Sequence, residues 1–118
     1  MLHHVGIEVA PAEVEALAGF FELVGFARVE PPEALRRYTW LEREGTQVHL
    51  MPEYEPMVPS PGHIALVAPD FDATVARLRD AGFAVEPKGE HWGQPRALAI
   101  APGGHRVELM AAPPEPQA

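Results

Sequence analysis

The chain has 118 residues, of which 47% are apolar and 22% charged, so it can bury one hydrophobic core and has no room for a second full-size domain. Nine basic and 17 acidic residues leave a net charge of −8 at pH 7, and a negative surface repels phosphate backbones, which argues against a nucleic-acid partner. The absence of cysteine excludes disulfides, thiolate metal sites and a cysteine nucleophile, so any metal must be bound by His, Asp or Glu.

The amino terminus and the apolar runs bear on location. The opening segment, MLHHVGIEVAP, lacks the basic and apolar regions of a secretion signal. No apolar run approaches the roughly 20 residues that a membrane-spanning helix needs. The sequence therefore predicts a cytoplasmic protein that makes no membrane contact.

The first half of the chain predicts a strand, a helix and three further strands. Apolar residues alternate in 2–9, which is the period of a strand with one buried face. Residues 11–24 have the apolar spacing of an amphipathic helix, with Pro near its start and Gly25 as its terminator. Three weaker strand patterns follow, at 26–30, 37–42 and 46–51.

The second half predicts the same order of elements. A strand at 62–68 is followed by a helix that begins near Asp70 and stops at Gly82. The prolines of 53–61 disfavour a helix and predict an extended connector, and 113–118 has nothing to bury and predicts a disordered tail. The remaining strand patterns lie at 83–86, 96–101 and 105–110.

The two halves are copies of one module. HHVGIEVAP near the start resembles GHIALVAPD at 62–70, TQVHLM resembles HRVELM, and each helix pattern ends in Gly-Phe. We therefore predict an α+β fold of two tandem βαβββ modules, 1–52 and 62–112, that together form one domain over 1–112.

Metal-capable side chains fall at equivalent positions of the two modules. One pair opens the modules and the other closes them, and strand alternation directs them to the face opposite the helix. Imidazole and carboxylate ligands without thiolate suit Zn, Ni, Fe, Mn or Co, and two His with one carboxylate leave coordination positions open for water or substrate. The four candidates are His4, His49, His63 and Glu108.

Each candidate taken alone has a simpler interpretation, because an isolated strand histidine is more often a hydrogen-bonded or surface group than a ligand. Four such residues at symmetric positions on one face have no shared packing reason, which favours a metal site. The other histidines are left outside the set: His3 has the parity of the core face and is predicted at the core edge, and His91 and His105 lie beside turn glycines.

Two aromatic residues share the face of the candidate ligands. The repeat aligns Tyr38 with Ala97 and Trp40 with Ala99. These aromatic side chains either line an apolar substrate pocket or only cover the sheet.

A turn-to-strand segment of the second module carries two further candidates for substrate contact. Trp92 begins the sequence WGQPR, and Arg96 ends it. The Arg96 guanidinium either anchors an anionic substrate or pairs with one of the many acidic residues.

The segments HHVGIEV, VHLM, GHIALV and WGQPRALAIAPGGHRVELM, on the duplicated plan, resemble the vicinal oxygen chelate superfamily of glyoxalases, bleomycin-resistance proteins and extradiol dioxygenases. The resemblance covers nearly the whole chain and implies curved mixed sheets around a metal and substrate cavity. It also implies that His4, His63 and Glu108 hold a divalent metal that chelates two neighbouring substrate oxygens, with His49 at the fourth position. A metal with open positions can stabilise developing oxyanion or enediolate charge.

The fourth position departs from the glyoxalases that act on the glutathione hemithioacetal. Those relatives usually carry Glu there, where this chain has His49. A neutral imidazole can transfer protons near pH 7 but leaves the site less negative, which argues against that particular reaction. His49 and Glu108 are therefore the catalytic candidates, and His49 is expected to be either a ligand or a general base.

Three functions fit the resemblance. A metal-dependent lyase, isomerase or thiol transferase acting on a small molecule is favoured, because every ligand position is filled. A metal-free drug-binding protein of the bleomycin-resistance type is the alternative. An Fe(II)-dependent extradiol dioxygenase using His4, His63 and Glu108 is the third.

The resemblance and the chain length together predict a homodimer. Each module has one face without a helix to cover it, and so short a chain has no third layer to cover both. Relatives with one pair of modules per chain commonly associate in pairs. We therefore predict a shared site to which one subunit contributes His4 and His49, and its partner His63 and Glu108.

Overall fold

The protein is described by a computed structural model that covers residues 1–91 and 93–114. Its elements follow the predicted order of strand, helix and three strands, twice over, which confirms the α+β fold class. They are β1 (His4–Val9), α1 (Val14–Leu23), β2 (Ala27–Val29), β3 (Thr39–Arg43), β4 (Thr46–Pro52), β5 (Ile64–Val67), α2 (Phe71–Asp80), β6 (Val85–Lys88), β7 (Arg96–Ile100) and β8 (Arg106–Met110).

The chain divides into two compact units, Met1–Val58 and a second that begins at Pro59. Each unit contains a four-stranded sheet, in the order β1-β4-β3-β2 in the first and β5-β8-β7-β6 in the second. In each sheet the first strand of the unit runs parallel to the last, and the remaining pairs are antiparallel. The two units therefore repeat one topology, in which β4 and β8 each have a neighbour on both sides.

The core of the first unit lies between its helix and one face of its sheet. Helix α1 contributes Leu17, Phe20 and Phe21, which are fully buried. The sheet presents alternate apolar residues toward it, including Leu41 and Leu50. This alternation leaves the intervening residues of β3 and β4 on the opposite face, where the candidate ligands lie.

The core of the second unit is built on the same plan with smaller side chains. Helix α2 buries Thr74, Val75 and Leu78. The Thr74 hydroxyl donates a hydrogen bond to Asp70 Oδ1 at 2.9 Å, which satisfies its buried polar atom. Opposite the helix, Val107 contributes a fully buried side chain of β8.

The hairpins of the two units differ in length, and this corrects the predicted alignment of the aromatic residues. Four residues separate the paired Glu42 and Gln47, whereas five separate the paired Ile100 and Arg106. The extra residue shifts β7 by one position relative to β3. Trp40 faces His49 and Leu98 faces Glu108, so the structural counterpart of Trp40 is Leu98, and that of Tyr38 is Arg96. The predicted pairings with Ala99 and Ala97 were wrong.

The β3–β4 turn explains the tight first hairpin. Glu44 and Gly45 both have positive φ, 50° and 84°, which is the backbone of a two-residue type I′ turn. Gly45 tolerates this conformation because it has no Cβ. The turn thereby fixes which residues of β3 lie opposite those of β4.

Several predictions concern segments outside the sheets. Residues 53–63 form neither helix nor strand, as the proline-rich connector predicted. Trp92 and residues 115–118 of the predicted tail lie outside the described residues. Over the ranges that the structure covers, neither helix has the length and apolar content that crossing a membrane requires. Cytoplasmic location stays a prediction.

Shortening the side chain of Leu50, on β4, tests the hydrophobic core of the first unit. Leu50 is fully buried, so Leu50→Ala should lower the free energy of unfolding by about 2–5 kcal/mol through lost apolar burial and the cavity left behind. Leu35→Ala is the matched control, because Leu35 is 38% exposed and should cost less than about 1 kcal/mol. Urea denaturation measures both, and equal losses would contradict this assignment of the core.

Candidate functional site

The first unit places two candidate ligands on the face opposite α1. His4 is the first residue of β1 and is exposed, whereas His49 lies in the middle of β4 and is only 8% exposed. Val48 and Leu50 flank His49 and point to the other face, where they are buried, as strand parity predicted. The central position of β4 gives His49 a protein environment on both sides.

Three rings stack across this face. The His49 ring lies parallel to the Trp40 indole, with centroids 3.9 Å apart and planes 1° apart. Its other face is covered by the His4 ring, with centroids 4.0 Å apart and planes 14° apart. The register of the strands explains the stack. On β3 the residue directly opposite His49 is Trp40. On β1 the residue opposite His49 is Gly6, which has no side chain to separate the His4 and His49 rings. Both faces of the His49 ring are therefore covered, and only the ring edge can contact a ligand.

Hydrogen bonding and charge define the state of His49. Its Nε2 lies 2.8 Å from Gln47 Oε1. Burial lowers the pKa of His49, and positive charge on His4 and His3 lowers it further. At neutral pH the ring is therefore uncharged and can accept a proton or a metal ion.

His3 does not lie at the core edge, and that prediction was wrong. His3 lies just before β1, where its carbonyl still accepts a hydrogen bond from Gln47 N at 2.8 Å, but its side chain is exposed. Its Nδ1 lies 2.9 Å from Nδ1 of His4, so one ring donates and the other accepts. His3 is thus a direct neighbour of a candidate ligand.

The second unit brings its two candidate ligands together. Glu108, in β8, is 6% exposed, and its Oε1 lies 3.1 Å from Nε2 of His63, just before β5. The other ring nitrogen of His63, Nδ1, lies 3.0 Å from the carbonyl oxygen of Pro61. A carbonyl only accepts hydrogen bonds, so Nδ1 carries a hydrogen and Nε2 is the atom directed at the carboxylate.

Arg96 occupies the other side of the Glu108 carboxylate. Its Nη1 lies 3.6 Å from Glu108 Oε2, and its Nε donates to the carbonyl of Gly89 at 2.6 Å. At 3.6 Å the contact with Oε2 is an ion pair and too long for a hydrogen bond. Oε2 has no hydrogen-bond partner among the described residues, although it is buried. The Glu108 carboxylate thus forms an ion pair with Arg96 through Oε2 and contacts His63 through Oε1.

The two aromatic candidates for substrate contact, Tyr38 and Trp40, differ in their hydrogen bonding. Tyr38 is half-buried in the bend before β3, and the Arg37 guanidinium lies 4.6 Å above its ring and donates to its hydroxyl. The Trp40 Nε1–H is buried without a hydrogen-bond acceptor in the described part of the chain. A cavity of about 320 Å³ lies between α2 and strands β6 and β7, and Arg96 is the one site candidate among the described residues that line it.

The candidate metal ligands form two pairs, His4 with His49 in the first unit and His63 with Glu108 in the second. Across residues 1–91 and 93–114, no three His, Asp or Glu side chains are grouped so as to hold a metal. The chemistry of the donors nonetheless fits a divalent ion, since imidazole nitrogen and carboxylate oxygen are its usual ligands. The buried oxygen of Glu108 without a hydrogen-bond partner fits such an ion as well.

Two residues next to His49 were missed by the sequence interpretation. Gln47 contacts the His49 ring, and Gln47 Nε2 donates to Glu42 Oε1 at 2.9 Å. A signal for them was present, because a two-residue turn at 44–45 places 42 opposite 47 and on the face of His49. Gln47 carries a neutral amide, which is not among the side chains that usually bind a metal.

Comparison with known proteins agrees with this architecture. The model of the Glyoxalase/Bleomycin resistance protein/Dioxygenase superfamily matches residues 2–109. The chain belongs to this superfamily, which confirms the resemblance inferred from its motifs. No curated protein matches the chain.

Solved structures share the fold. A Bacillus anthracis protein assigned to the glyoxalase family is 22% identical with a TM-score of 0.83, and the match covers 93% of each chain. TnmS3, an antibiotic-binding protein from Streptomyces sp. CB03234, is 27% identical with a TM-score of 0.73, again over 93% of each chain. The oxidase ChaP-H2 is 18% identical with a TM-score of 0.76, over 96% of this chain and 94% of the other.

The environment of His49 predicts its titration. In metal-free protein kept in chelator, the pKa of His49 should lie below the ordinary histidine value, because burial and the neighbouring histidines disfavour the imidazolium. Stability should fall as the pH drops from the ordinary histidine pKa toward the lower folded-state pKa, because the unfolded chain binds the proton first. NMR titration of the ring protons measures the pKa.

His4→Ala supplies the comparison for this titration. The substitution removes a neighbouring charge and uncovers one face of the ring, so the pKa of His49 should rise toward the ordinary value. A wild-type pKa at or above the ordinary value would contradict the described environment.

Proposed function

We propose that the protein binds a divalent metal through His4, His63 and Glu108, with His49 as fourth ligand or general base, and acts as a lyase, isomerase or thiol transferase on a small oxygen-bearing molecule. The observation that carries the proposal is the arrangement of His63. Its Nδ1 faces the Pro61 carbonyl and its Nε2 faces the Glu108 carboxylate at 3.1 Å. Metal-bound histidines usually donate their second ring N–H to a carbonyl or carboxylate in this way.

Electrostatics support a cation between His63 and Glu108. When neutral, His63 directs a lone pair from Nε2 at a carboxylate oxygen, and two acceptors 3.1 Å apart repel unless a proton or a metal ion lies between them. Arg96 neutralises part of the carboxylate charge from the side of Oε2 and holds Oε1 toward His63. This half of the donor set is therefore arranged to share one positive species.

The residues of the chain have separable roles in such a reaction. A bound divalent metal would act as a Lewis acid that lowers the energy of negative charge on neighbouring substrate oxygens. His49, uncharged at neutral pH, accepts a proton from the substrate or completes the ligand set. Trp40 and His4 fix the plane of the His49 ring, and Arg96 fixes the Glu108 carboxylate.

A metal-free ligand-binding function is the second candidate. Proteins of the superfamily bind small molecules, and the 27%-identical TnmS3 is described as antibiotic-binding. The stacked Trp40, His49 and His4 favour this function, because aromatic faces and edges suit a planar organic ligand. An Fe(II) dioxygenase stays a third candidate, since His4, His63 and Glu108 are also the ligand types of the two-His-one-carboxylate set.

Metal titration of a Glu108 variant tests the proposal. Protein freed of metal and titrated with Zn, Ni, Mn, Co or Fe(II) in a calorimeter should bind one ion per chain. Glu108→Gln should weaken this binding by about 10-fold or more, because an amide is a poor neutral substitute for the only anionic ligand. Glu86→Gln is the matched control, since Glu86 is exposed and its ion-pair partner among the described residues is Lys88.

The outcomes separate the candidate functions. Wild-type protein that takes up none of these ions in stoichiometric amount would overturn the metal-dependent enzyme and leave the metal-free binding function. Equal affinity of the Glu108→Gln and Glu86→Gln proteins would remove Glu108 from the site.

We also propose that the functional unit is a homodimer in which each metal site takes His4 and His49 from one subunit and His63 and Glu108 from its partner. The division of the four donors into one pair per unit supports this proposal. Twofold symmetry would then create two equivalent sites per dimer.

Mixing two defective variants tests the sharing of sites. In a heterodimer of His4→Ala and Glu108→Ala chains, one site collects both defects and the other is intact, so an equal mixture should recover tight metal binding at about a quarter of its sites. Each variant alone should show none. A monomer in sedimentation at micromolar concentration, or no recovery after proven subunit exchange, would contradict a shared site.

A further inference from the structure

A chain of polar contacts leads from the sheet edge to His49. Gln47 Nε2 donates to Glu42 Oε1 at 2.9 Å, and Gln47 Oε1 lies 2.8 Å from Nε2 of His49. Glu42 and Gln47 are directly opposite each other on β3 and β4, and all three residues share the face of the stacked rings. This polar relay, Glu42–Gln47–His49, was not part of the predicted site.

The direction of the relay follows from the chemistry of its first member. An ionised carboxylate only accepts hydrogen bonds, so the side of the Gln47 amide that faces Glu42 must be its NH₂ group. The amide oxygen then faces His49 and can only accept. The hydrogen in this second contact must therefore come from His49 Nε2.

Ring stacking prevents His49 from escaping this constraint. Trp40 and His4 cover the two faces of the ring with centroids 3.9 and 4.0 Å away, so the ring cannot rotate out of its plane without breaking both stacks. The relay fixes one nitrogen edge while the stacks fix the plane. A neutral imidazole with hydrogen on Nε2 has its lone pair on Nδ1.

We propose that Glu42 and Gln47 are positioning residues that hold His49 as the Nε2–H tautomer, so that His49 accepts a metal ion or a proton through Nδ1. The tautomer itself follows from the contacts within the first unit. Its use for a metal or a substrate proton rests on the proposed function. The sequence predicts His49 as the functional residue, and the relay specifies Nδ1 as its reactive atom.

The tautomer can be observed directly by NMR. Protein labelled with ¹⁵N in its histidine rings, free of metal and at about pH 8, where an ordinary histidine is neutral, should show a protonated-type shift for Nε2 of His49 and an unprotonated-type shift for Nδ1. The signals are assigned by their loss in His49→Ala. A dominant Nδ1–H tautomer in the wild-type protein would overturn the proposal, whatever the variants do.

Three variants test the relay as the cause. Gln47→Met removes the acceptor and should populate both tautomers, and Glu42→Gln should weaken the preference because an amide pair can hydrogen-bond in either direction. Combining Glu42→Gln with Gln47→Glu exchanges the two groups, keeps an obligate acceptor beside His49 and should restore the Nε2–H tautomer. If the double variant populates both tautomers of His49, as Gln47→Met should, the relay is contradicted.

The control is Glu44→Gln, which removes one negative charge from the same hairpin at an exposed turn position. It should leave the tautomer unchanged. A shift as large as that of Glu42→Gln would show that charge alone, rather than the relay, sets the tautomer.

Zinc affinity provides the second readout. Gln47→Met should weaken Zn binding by about 10- to 100-fold, the usual loss when a group that orients a ligand is removed. If wild-type protein binds no Zn but shows the Nε2–H tautomer, the metal function fails and the tautomer assignment stands. If it binds Zn with unaltered affinity in Gln47→Met, His49 does not bind that metal through a relay-oriented Nδ1.

Discussion

The alternation of side chains along the two central strands is the constraint on which the rest of the structure depends. Because β4 and β8 are paired on both sides, neither can rotate or slip without breaking two ladders. Every second residue of β4 and β8 therefore points into the core beside the helix, and the residues between them point to the opposite face. His49 and Glu108 occupy equivalent places in this pattern, which is why two polar residues can be almost fully buried in a small domain.

The two units use the same frame for different electrostatics. Around His49 the neighbours are an indole, an imidazole and an amide, and burial keeps the ring uncharged. Around Glu108 the neighbours are the His63 imidazole and Arg96, whose guanidinium forms an ion pair with the buried carboxylate. One unit thus buries an uncharged imidazole and the other a carboxylate paired with a guanidinium, at equivalent places in the same topology.

Much of the fold and part of the site could be predicted from sequence, because both follow from periodicity. The strand and helix patterns, the duplication and the non-core position of His49 all derive from which residues must be buried. The alignment of Trp40 with Ala99 failed because register depends on turn length, and one extra residue at 101–105 moved Leu98 opposite Glu108 instead. Glu42 was missed because its contact with Gln47 crosses from β3 to β4, and no pattern within a single strand reveals it. Strand alternation places Gln47 on the face of His49, but the hydrogen bond between them depends on side-chain conformation. Trp92 lies outside the described residues, and its contact with substrate stays a prediction.

The unequal hairpins also bear on how duplicated modules diverge. After a gene duplication, a point substitution changes one side chain, whereas an insertion in a turn changes which side chain of the neighbouring strand faces the central residue. Deleting one residue from 101–105 would present Ala99 to Glu108 and turn Leu98 toward the helix, with β8 itself unaltered. Turn length therefore determines which residue of the neighbouring strand lies beside the central strand. A single insertion can replace a bulky aromatic neighbour with an aliphatic one without any codon of the strand being changed.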